Sequence, residues 1–244
     1  MSETLDESVR WRIRTGKLPF QEPTRQATSQ AILSAGLATE VVGLLSAGKE
    51  ADVYLATYGD DPIAIKVYRL FRTSRRGGGG AKLDAMSWQA AREFDALHRA
   101  WKAGAPVPTP ARRVENMFSM RYLGDDEGPA QRLQDVRLTE PKDFLTQILA
   151  ATEALVRGGQ VHGDLSAFNV LVHQARPWFI DFSDALRVDR LGESPWRRLT
   201  IAQKRLRRDL RALQVYFRKY GLSYDVEGIV SPLIQELDVF GVLD

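Results

Sequence analysis

Three polar side chains sit at a spacing that could carry out phosphoryl transfer. Asp164 and Asn169 fall within His162-Gly163-Asp164-Leu165-Ser166-Ala167-Phe168-Asn169, and Asp181 closes the short apolar run Phe179-Ile180 ahead of Phe182-Ser183. An aspartate in such a loop can orient or deprotonate an incoming hydroxyl. The asparagine and the second aspartate offer hard oxygen ligands to Mg2+ or Mn2+, the ions that bridge nucleotide phosphates. The same residues also suit a polar turn between two buried strands, where Asp and Asn act as turn formers. The Asp-to-Asn spacing alone leaves both readings open.

The upstream half supplies partners for this chemistry. Val41 to Leu45 is an apolar run, Ser46-Ala47-Gly48-Lys49-Glu50 reads as a turn, and Ala51 to Ala56 alternates like a strand. A second turn at Gly59 to Pro62 leads into Ile63-Ala64-Ile65-Lys66-Val67-Tyr68, so two antiparallel hairpins are expected. Lys66 lies inside a strongly apolar strand, where it needs an anionic partner or a ligand phosphate. A snorkelling edge-strand lysine is the alternative. The run from Ser87 to Lys102 carries Glu93 with Phe94, Leu97 and Trp101 at helical spacing, which makes Glu93 the candidate partner. A strand lysine, a helix glutamate, a catalytic-loop Asp and Asn, and a second Asp follow one another in the order that protein kinases use.

These strings resemble the RIO family of atypical serine/threonine protein kinases. The resemblance rests on Ser46-Ala47-Gly48-Lys49-Glu50-Ala51-Asp52-Val53-Tyr54, Ile65-Lys66-Val67-Tyr68, His162-Gly163-Asp164-Leu165-Ser166 and Ile180-Asp181-Phe182-Ser183. It continues through Arg208-Asp209-Leu210 and Tyr216 to Gly221. The branch it is most similar to carries the S-x-G-K-E phosphate loop. The stretch before Val41 is short for a folded domain, so no winged-helix domain is expected. The resemblance implies an α+β, bilobal protein-kinase-like fold with an antiparallel sheet lobe and a reduced helical lobe. It divides the chain into a lead-in (1–40), an N-lobe (41–123) and a C-lobe (124–244).

Roles follow from the same resemblance. Asp164 would act on the acceptor hydroxyl, and Asn169 and Asp181 would hold the metal ion. Lys66, positioned by Glu93, would grip the α/β-phosphates of ATP. Ser46, Gly48 and Lys49 would contact phosphates, while Met120, Tyr122 and Leu123 would border adenine at a lobe-connecting hinge. Met120 as ordinary core fits the pattern equally well. His162 is expected to brace the loop, and His98 and His173 have no evident partner.

The sequence departs from ordinary kinases in several places. Gly163 replaces the arginine that senses a phosphorylated activation loop, Ser183 follows Phe182 where glycine is usual, and no Ala-Pro-Glu segment occurs. A peptide-docking groove is therefore not implied, whereas a nucleotide site is.

Composition is that of a globular enzyme. Of 244 residues 44% are hydrophobic and 27% charged, and the absence of cysteine excludes disulfides and zinc-thiolate sites. No apolar run is long enough for a membrane span, and a polar N-terminus argues against a secretory signal, so a cytoplasmic protein is expected. Net charge is only +3, so distribution matters more than the total. Arg69 to Lys82 contains four consecutive glycines among basic residues and reads as a linker-like loop; the resemblance implies autophosphorylation there, with Thr73 and Ser74 as candidates, and a plain solvated linker is the alternative. Leu206, Leu210, Leu213 and Phe217 mark an amphipathic helix whose outward side would carry Arg197, Arg198, Lys204, Arg205, Arg207, Arg208 and Arg211. Such a face is either simply solvated or an RNA-contact patch. The family's association with ribosome maturation makes a ribosomal-precursor complex the partner to test.

Three functions compete. One is an ATP-dependent serine/threonine kinase. Another is an ATPase switch on a ribosome-precursor or RNA complex, in which Asp181 accepts the phosphoryl group as an acyl phosphate, a use of this Asp that the resemblance implies. The last is a small-molecule kinase of the aminoglycoside type, against which the S-x-G-K-E string argues. The protein substrate and the oligomeric state are not legible.

Overall fold

The computed structural model describes residues 23–69, 83–188 and 195–239. The glycine-rich basic segment with Thr73 and Ser74 lies outside the described residues, as does the N-terminal stretch. Helix α1 (Arg25–Ser34) opens the described chain, capped by the Thr24 hydroxyl accepting from the Ala27 N–H at 3.2 Å. Strands β1 (Glu40–Ala47), β2 (Ala51–Tyr58) and β3 (Asp61–Tyr68) form the two expected hairpins. Helix α2 (Leu83–Lys102) follows, then β4 (Pro110–Val114) and β5 (Met117–Arg121). These strands make one antiparallel sheet in the order β1-β2-β3-β5-β4, so the Lys66 strand is central. Its alternation puts Ala64 and Lys66 on one face and Ile65 and Val67 on the other. Ile65 and Val67 pack with Ile32 and Leu37 from the α1 region in a small core of their own.

The second half is helical with short strand pairs. After β6 (Gly124–Asp125), β7 (Gly128–Pro129) and β8 (Gln131–Arg132) comes α3 (Pro141–Arg157). Proline stands at its first position, where the missing N–H costs no helical bond, and the Gly158 N–H closes its end onto Ala154. Phe144, Ile148, Ala151 and Leu155 recur at helical spacing and are buried. Strand β9 (Gln160–Val161) then enters the Asp164 loop, and β10 (Val170–His173) and β11 (Arg176–Phe179) form a tight hairpin. Its Gln174-Ala175 turn has both residues at positive φ, 52° and 57°, the twist that two-residue hairpins require. Strand β12 (Leu186–Arg187) pairs with β9, and α4 (Pro195–Phe217) and α5 (Val226–Val239) complete the chain.

One apolar core joins the two halves. Met86, Ala90 and Leu97 of α2 meet Phe118 of the sheet, Ile148 and Leu155 of α3, Phe179, Phe182, and Leu213 and Phe217 of α4. The expected inward stripe Leu206, Leu210, Leu213, Phe217 is fully buried. The element order and sheet topology are those of the protein-kinase-like α+β fold. Among the described residues no helix is long and apolar enough to cross a membrane.

Candidate functional site

A cavity of about 690 Å3 opens between the sheet and the helical half. Its roof is the β1–β3 face bearing Val53, Ala64 and Lys66, and its floor is Leu171 and Ile180 from the β10–β11 hairpin. Met120, Tyr122 and Leu123 line the connection between the halves, where the hinge was expected. Met120 pairs with Ala64 across the sheet and also packs on the main core, so the cavity-edge and core readings of Met120 both hold.

The β1–β2 turn forms the lip. The Gly48 N–H reaches the Ala51 carbonyl at 3.0 Å, and a Cβ at residue 48 would stand 2.5 Å from that same oxygen, so only glycine fits the turn. Ser46 and Gly48 line the cavity. Lys49 is exposed and is not among the residues lining the cavity.

Lys66 is the electrostatic centre. Its Nζ donates to Glu93 Oε1 at 2.7 Å and to Asp181 Oδ1 at 3.1 Å. Glu93 is 3% exposed, and it also accepts from the Phe182 N–H at 3.1 Å and from the Tyr68 hydroxyl. The snorkelling alternative for Lys66 is therefore excluded. Burial would push the ammonium pKa down, but the two carboxylates outweigh it and hold it above its ordinary value. Burial likewise opposes ionisation of Asp181. The Lys66 charge and a 2.9 Å bond from Ser183 Oγ reverse that and keep its pKa below the usual carboxylate range. The neighbouring hydroxyl of Tyr68 is pushed well above its normal range by burial and by Glu93.

The hairpin ladder brings the two candidate metal ligands together. Val170 pairs with Phe179, and the next bond, Ile180 N–H to the Asn169 carbonyl at 3.0 Å, places Asn169 beside the Ile180-Asp181 turn. Asp181 holds φ at +65°, a left-handed conformation that Asp adopts more readily than most non-glycine residues. Asn169 Nδ2 donates to the Asp164 carbonyl at 2.8 Å and to Asp164 Oδ2 at 3.1 Å, which leaves its Oδ1 as a ligand atom. Both Asn169 and Asp181 line the cavity, whereas Asp164 is exposed just outside it. Burial raises the Asp164 carboxyl pKa, Asp184 reinforces the shift, and Arg208 opposes it.

Two oxygen ligands are too few for an all-protein metal cage, and among the described residues no cluster of three or more His, Cys, Asp or Glu exists that could form one. They do fit Mg2+, which keeps waters and takes phosphate oxygens as its remaining ligands.

His162 is 2% exposed, its Nε2 lies 3.1 Å from the Ile180 carbonyl, and its ring packs 4.7 Å from that of Phe182. Burial lowers its pKa to about 4, so it is a neutral brace at pH 7, as expected.

In the sequence Asp209 stands out only as part of the Arg208-Asp209-Leu210 string, yet the structure gives it a position of consequence. It is 2% exposed and accepts the Gly163 N–H at 2.8 Å, which ties the Asp164 loop to α4. Burial pushes its carboxyl up to about 7. The cavity residues Val53, Leu171 and Asp135 were also not singled out.

The basic side of α4 follows expectation in part. Seven cations were expected to face outward, but Arg198 is buried. Arg207 and Arg211 pair with Glu227 of α5, at 2.6 Å and 3.4 Å. Arg205 donates to the Asp184 carbonyl beside the site. These pairs form because α4 is flanked by α5 and by the Asp164 loop, while Arg197, Lys204, Arg208 and Arg211 keep exposed side chains, as expected. Asp184 itself sits in a turn. His98 stacks on Trp101 at 5.9 Å, on the outside of α2.

The fold and the ordered Lys66, Glu93, Asp164, Asn169 and Asp181 set define a protein of the protein-kinase class. Residues 52–229 match the family model described as the RIO domain, and the chain belongs to that family. It is 32% identical over 201 residues to the RIO-type serine/threonine-protein kinase Rio1 of Haloferax volcanii, covering 77% of this chain and 66% of that protein. It is 28% identical over 248 residues to the serine/threonine-protein kinase RIO1 of Caenorhabditis elegans, covering 91% of this chain and 47% of that protein. The chain thus spans two thirds of the first relative's length or less, and about half of the second. Among solved structures, the Rio2 kinase of Chaetomium thermophilum matches with TM-score 0.66 and 19% identity over 88% of this chain and 72% of that one. Its complex described as ADP/Mg2+-phosphoaspartate matches with TM-score 0.64 and 19% identity, over 88% and 70%.

Proposed function

We propose that the protein is a Mg-ATP-dependent phosphotransferase acting as a serine/threonine protein kinase of the RIO type. The observation that carries this reading is Lys66 held between Glu93 at 2.7 Å and Asp181 at 3.1 Å on the wall of a nucleotide-sized cavity that Asn169 also lines. Adenine would lie between Val53 and Ala64 above and Leu171 below, bordered by Met120, Tyr122 and Leu123. The Ser46–Gly48 turn would cover the phosphates. Asn169 and Asp181 would hold the Mg2+, which neutralises phosphate charge when bound. Lys66 would neutralise the α/β-phosphates, with Glu93 fixing its direction. The acceptor hydroxyl oxygen then bonds to the γ-phosphorus as the bond to the β,γ-bridging oxygen breaks. ADP keeps that electron pair, and the hydroxyl proton passes to Asp164. Asn169 holds one oxygen of Asp164, leaving Oδ1 for that proton. Rate enhancement would come from positioning and fixed charge. In this reading residues 41–123 form the nucleotide lobe, 124–244 the catalytic lobe and 1–40 a lead-in, and the protein works in the cytoplasm.

A second reading is an ATPase switch in which Asp181 takes the phosphoryl group. Supporting it, Asp181 is ionised and partly exposed, with Lys66 and Ser183 both on Oδ1, so Oδ2 is the atom able to attack. The Rio2 neighbour is described with a phosphoaspartate. Incubation with γ-labelled ATP and Mg2+, followed by hydroxylamine, separates the two readings. Label on an aspartate is released, whereas label on serine or threonine stays.

A further inference from the structure

We propose that Arg205 is a positioning residue that fixes the Asp164 loop against the Asp181 loop. The inference rests on the phosphotransfer reading. Arg205 and Asp209 are four residues apart on α4 and so share one helix face. Asp209 Oδ2 accepts the Gly163 N–H at 2.8 Å and thereby holds the loop that carries Asp164. Arg205 Nη1 donates to the carbonyl of Asp184, in the turn that follows Asp181 and is closed by the Ala185 N–H on the Phe182 carbonyl at 3.0 Å. One helix face therefore grips both loops.

Gly163 is the piece between the two grips. It holds φ at +84°, and a Cβ there would collide with the Asp184 carbonyl and come 3.0 Å from Arg205 Nη1. The two loops are thus in backbone contact with no space for a side chain, and the guanidinium closes the contact from the α4 side. If that bond is lost, the Asp184 turn loses its tether to α4, and Asp181, three residues before it, can drift relative to Asp164. Arg207 and Arg211 on the same helix are paired with Glu227, away from this contact, so the effect belongs to residue 205 and not to the charge of the helix.

The bond is solvent-accessible, so its removal should alter geometry more than stability. The test is single-turnover phosphotransfer, the Kd for Mg-ATP, and Tm, measured on the whole protein with Arg205→Met, Arg205→Lys and Arg211→Gln. Arg205→Met should slow transfer about tenfold, since small misplacements of reacting groups carry large rate costs. Its Kd should stay within about twofold and its melting point should hardly move. Arg205→Lys, which retains a donor, should regain most of the rate, and Arg211→Gln should match wild type. An unchanged rate in Arg205→Met overturns the proposal, as does a lost rate that Arg205→Lys does not regain. Should Arg205→Met fail to fold, the role is structural and the proposal falls, unless Arg205→Lys folds and keeps the rate. A folded wild type that transfers no phosphate refutes the functional reading itself, a result distinct from any of these.

Discussion

Glu93→Gln is the sharpest perturbation of the site's electrostatics. The substitution keeps shape but removes the charge that faces Lys66 at 2.7 Å, and Glu93 is 3% exposed, so water cannot replace it. Removing one partner of a buried ion pair costs about 3–5 kcal/mol. Lys66 retains Asp181 at 3.1 Å, and the amide oxygen can still accept the Phe182 N–H, so the lower end, about 3 kcal/mol, is expected. For a chain of this size that corresponds to a Tm lower by about 6–12 °C. Thermal unfolding followed by circular dichroism measures it, and urea unfolding at 25 °C should show a lower midpoint with unchanged slope. Phosphotransfer should fall as well, because Lys66 loses its direction. A melting point within about 2 °C of wild type would mean that Lys66, Glu93 and Asp181 are not a buried electrostatic unit in solution, and the reasoning fails.

Other outcomes follow from the same geometry. Asp164→Ala should cut phosphotransfer by a factor on the order of 10² or more with Mg-ATP affinity nearly intact, because the side chain lies outside the cavity. Loss only in Asp181→Ala would instead favour direct attack by Asp181. Between about pH 4 and 6.5 two buried groups oppose each other. His162, held near 4 against an unfolded value of 6.5, makes stability fall as pH falls. Asp209, pushed up to about 7 from 3.8, makes stability fall as pH rises. Asp209→Asn should therefore show stability rising with pH in that window, and His162→Gln should show it falling, each by at most about 1.4 kcal/mol per pH unit. Identical pH profiles of denaturant midpoint in both variants would contradict this. Finally, if α4 contacts RNA, the exposed Arg197 and Lys204 are the residues to reverse. Arg197→Glu with Lys204→Glu should abolish RNA association and spare ATP binding, and insensitivity to the pair at low salt would leave a solvated face.

Much of the site was legible because strands carry a period of two and kinase-like motifs have fixed order. Lys66, Glu93, Asn169 and Asp181 converge as their spacing implied. The roof and floor were legible by the same rule without being read: Ala64 lies two residues from Lys66, and Leu171 two from Asn169, each on the cavity face. What the sequence could not show depends on long-range packing. Asp209 and Arg205 act on backbone groups of loops far away in the chain, and nothing in a helical repeat marks a buried aspartate that accepts a loop N–H. The charge run on α4 was legible only in part, for a related reason. Periodicity tells which side is apolar, but not that Glu227 or the Asp184 carbonyl will occupy the polar side.

The central claim is a metal-dependent nucleotide site built on Lys66, Asn169 and Asp181. Calorimetric titration of ATP into the wild-type protein, with and without Mg2+, tests it most directly when repeated on Asp181→Asn. Wild-type binding should be saturable and strengthened by Mg2+, and Asp181→Asn should still bind nucleotide but gain little from the metal. Absence of ATP binding in the presence of Mg2+, or an equal gain from Mg2+ in Asp181→Asn, would contradict it.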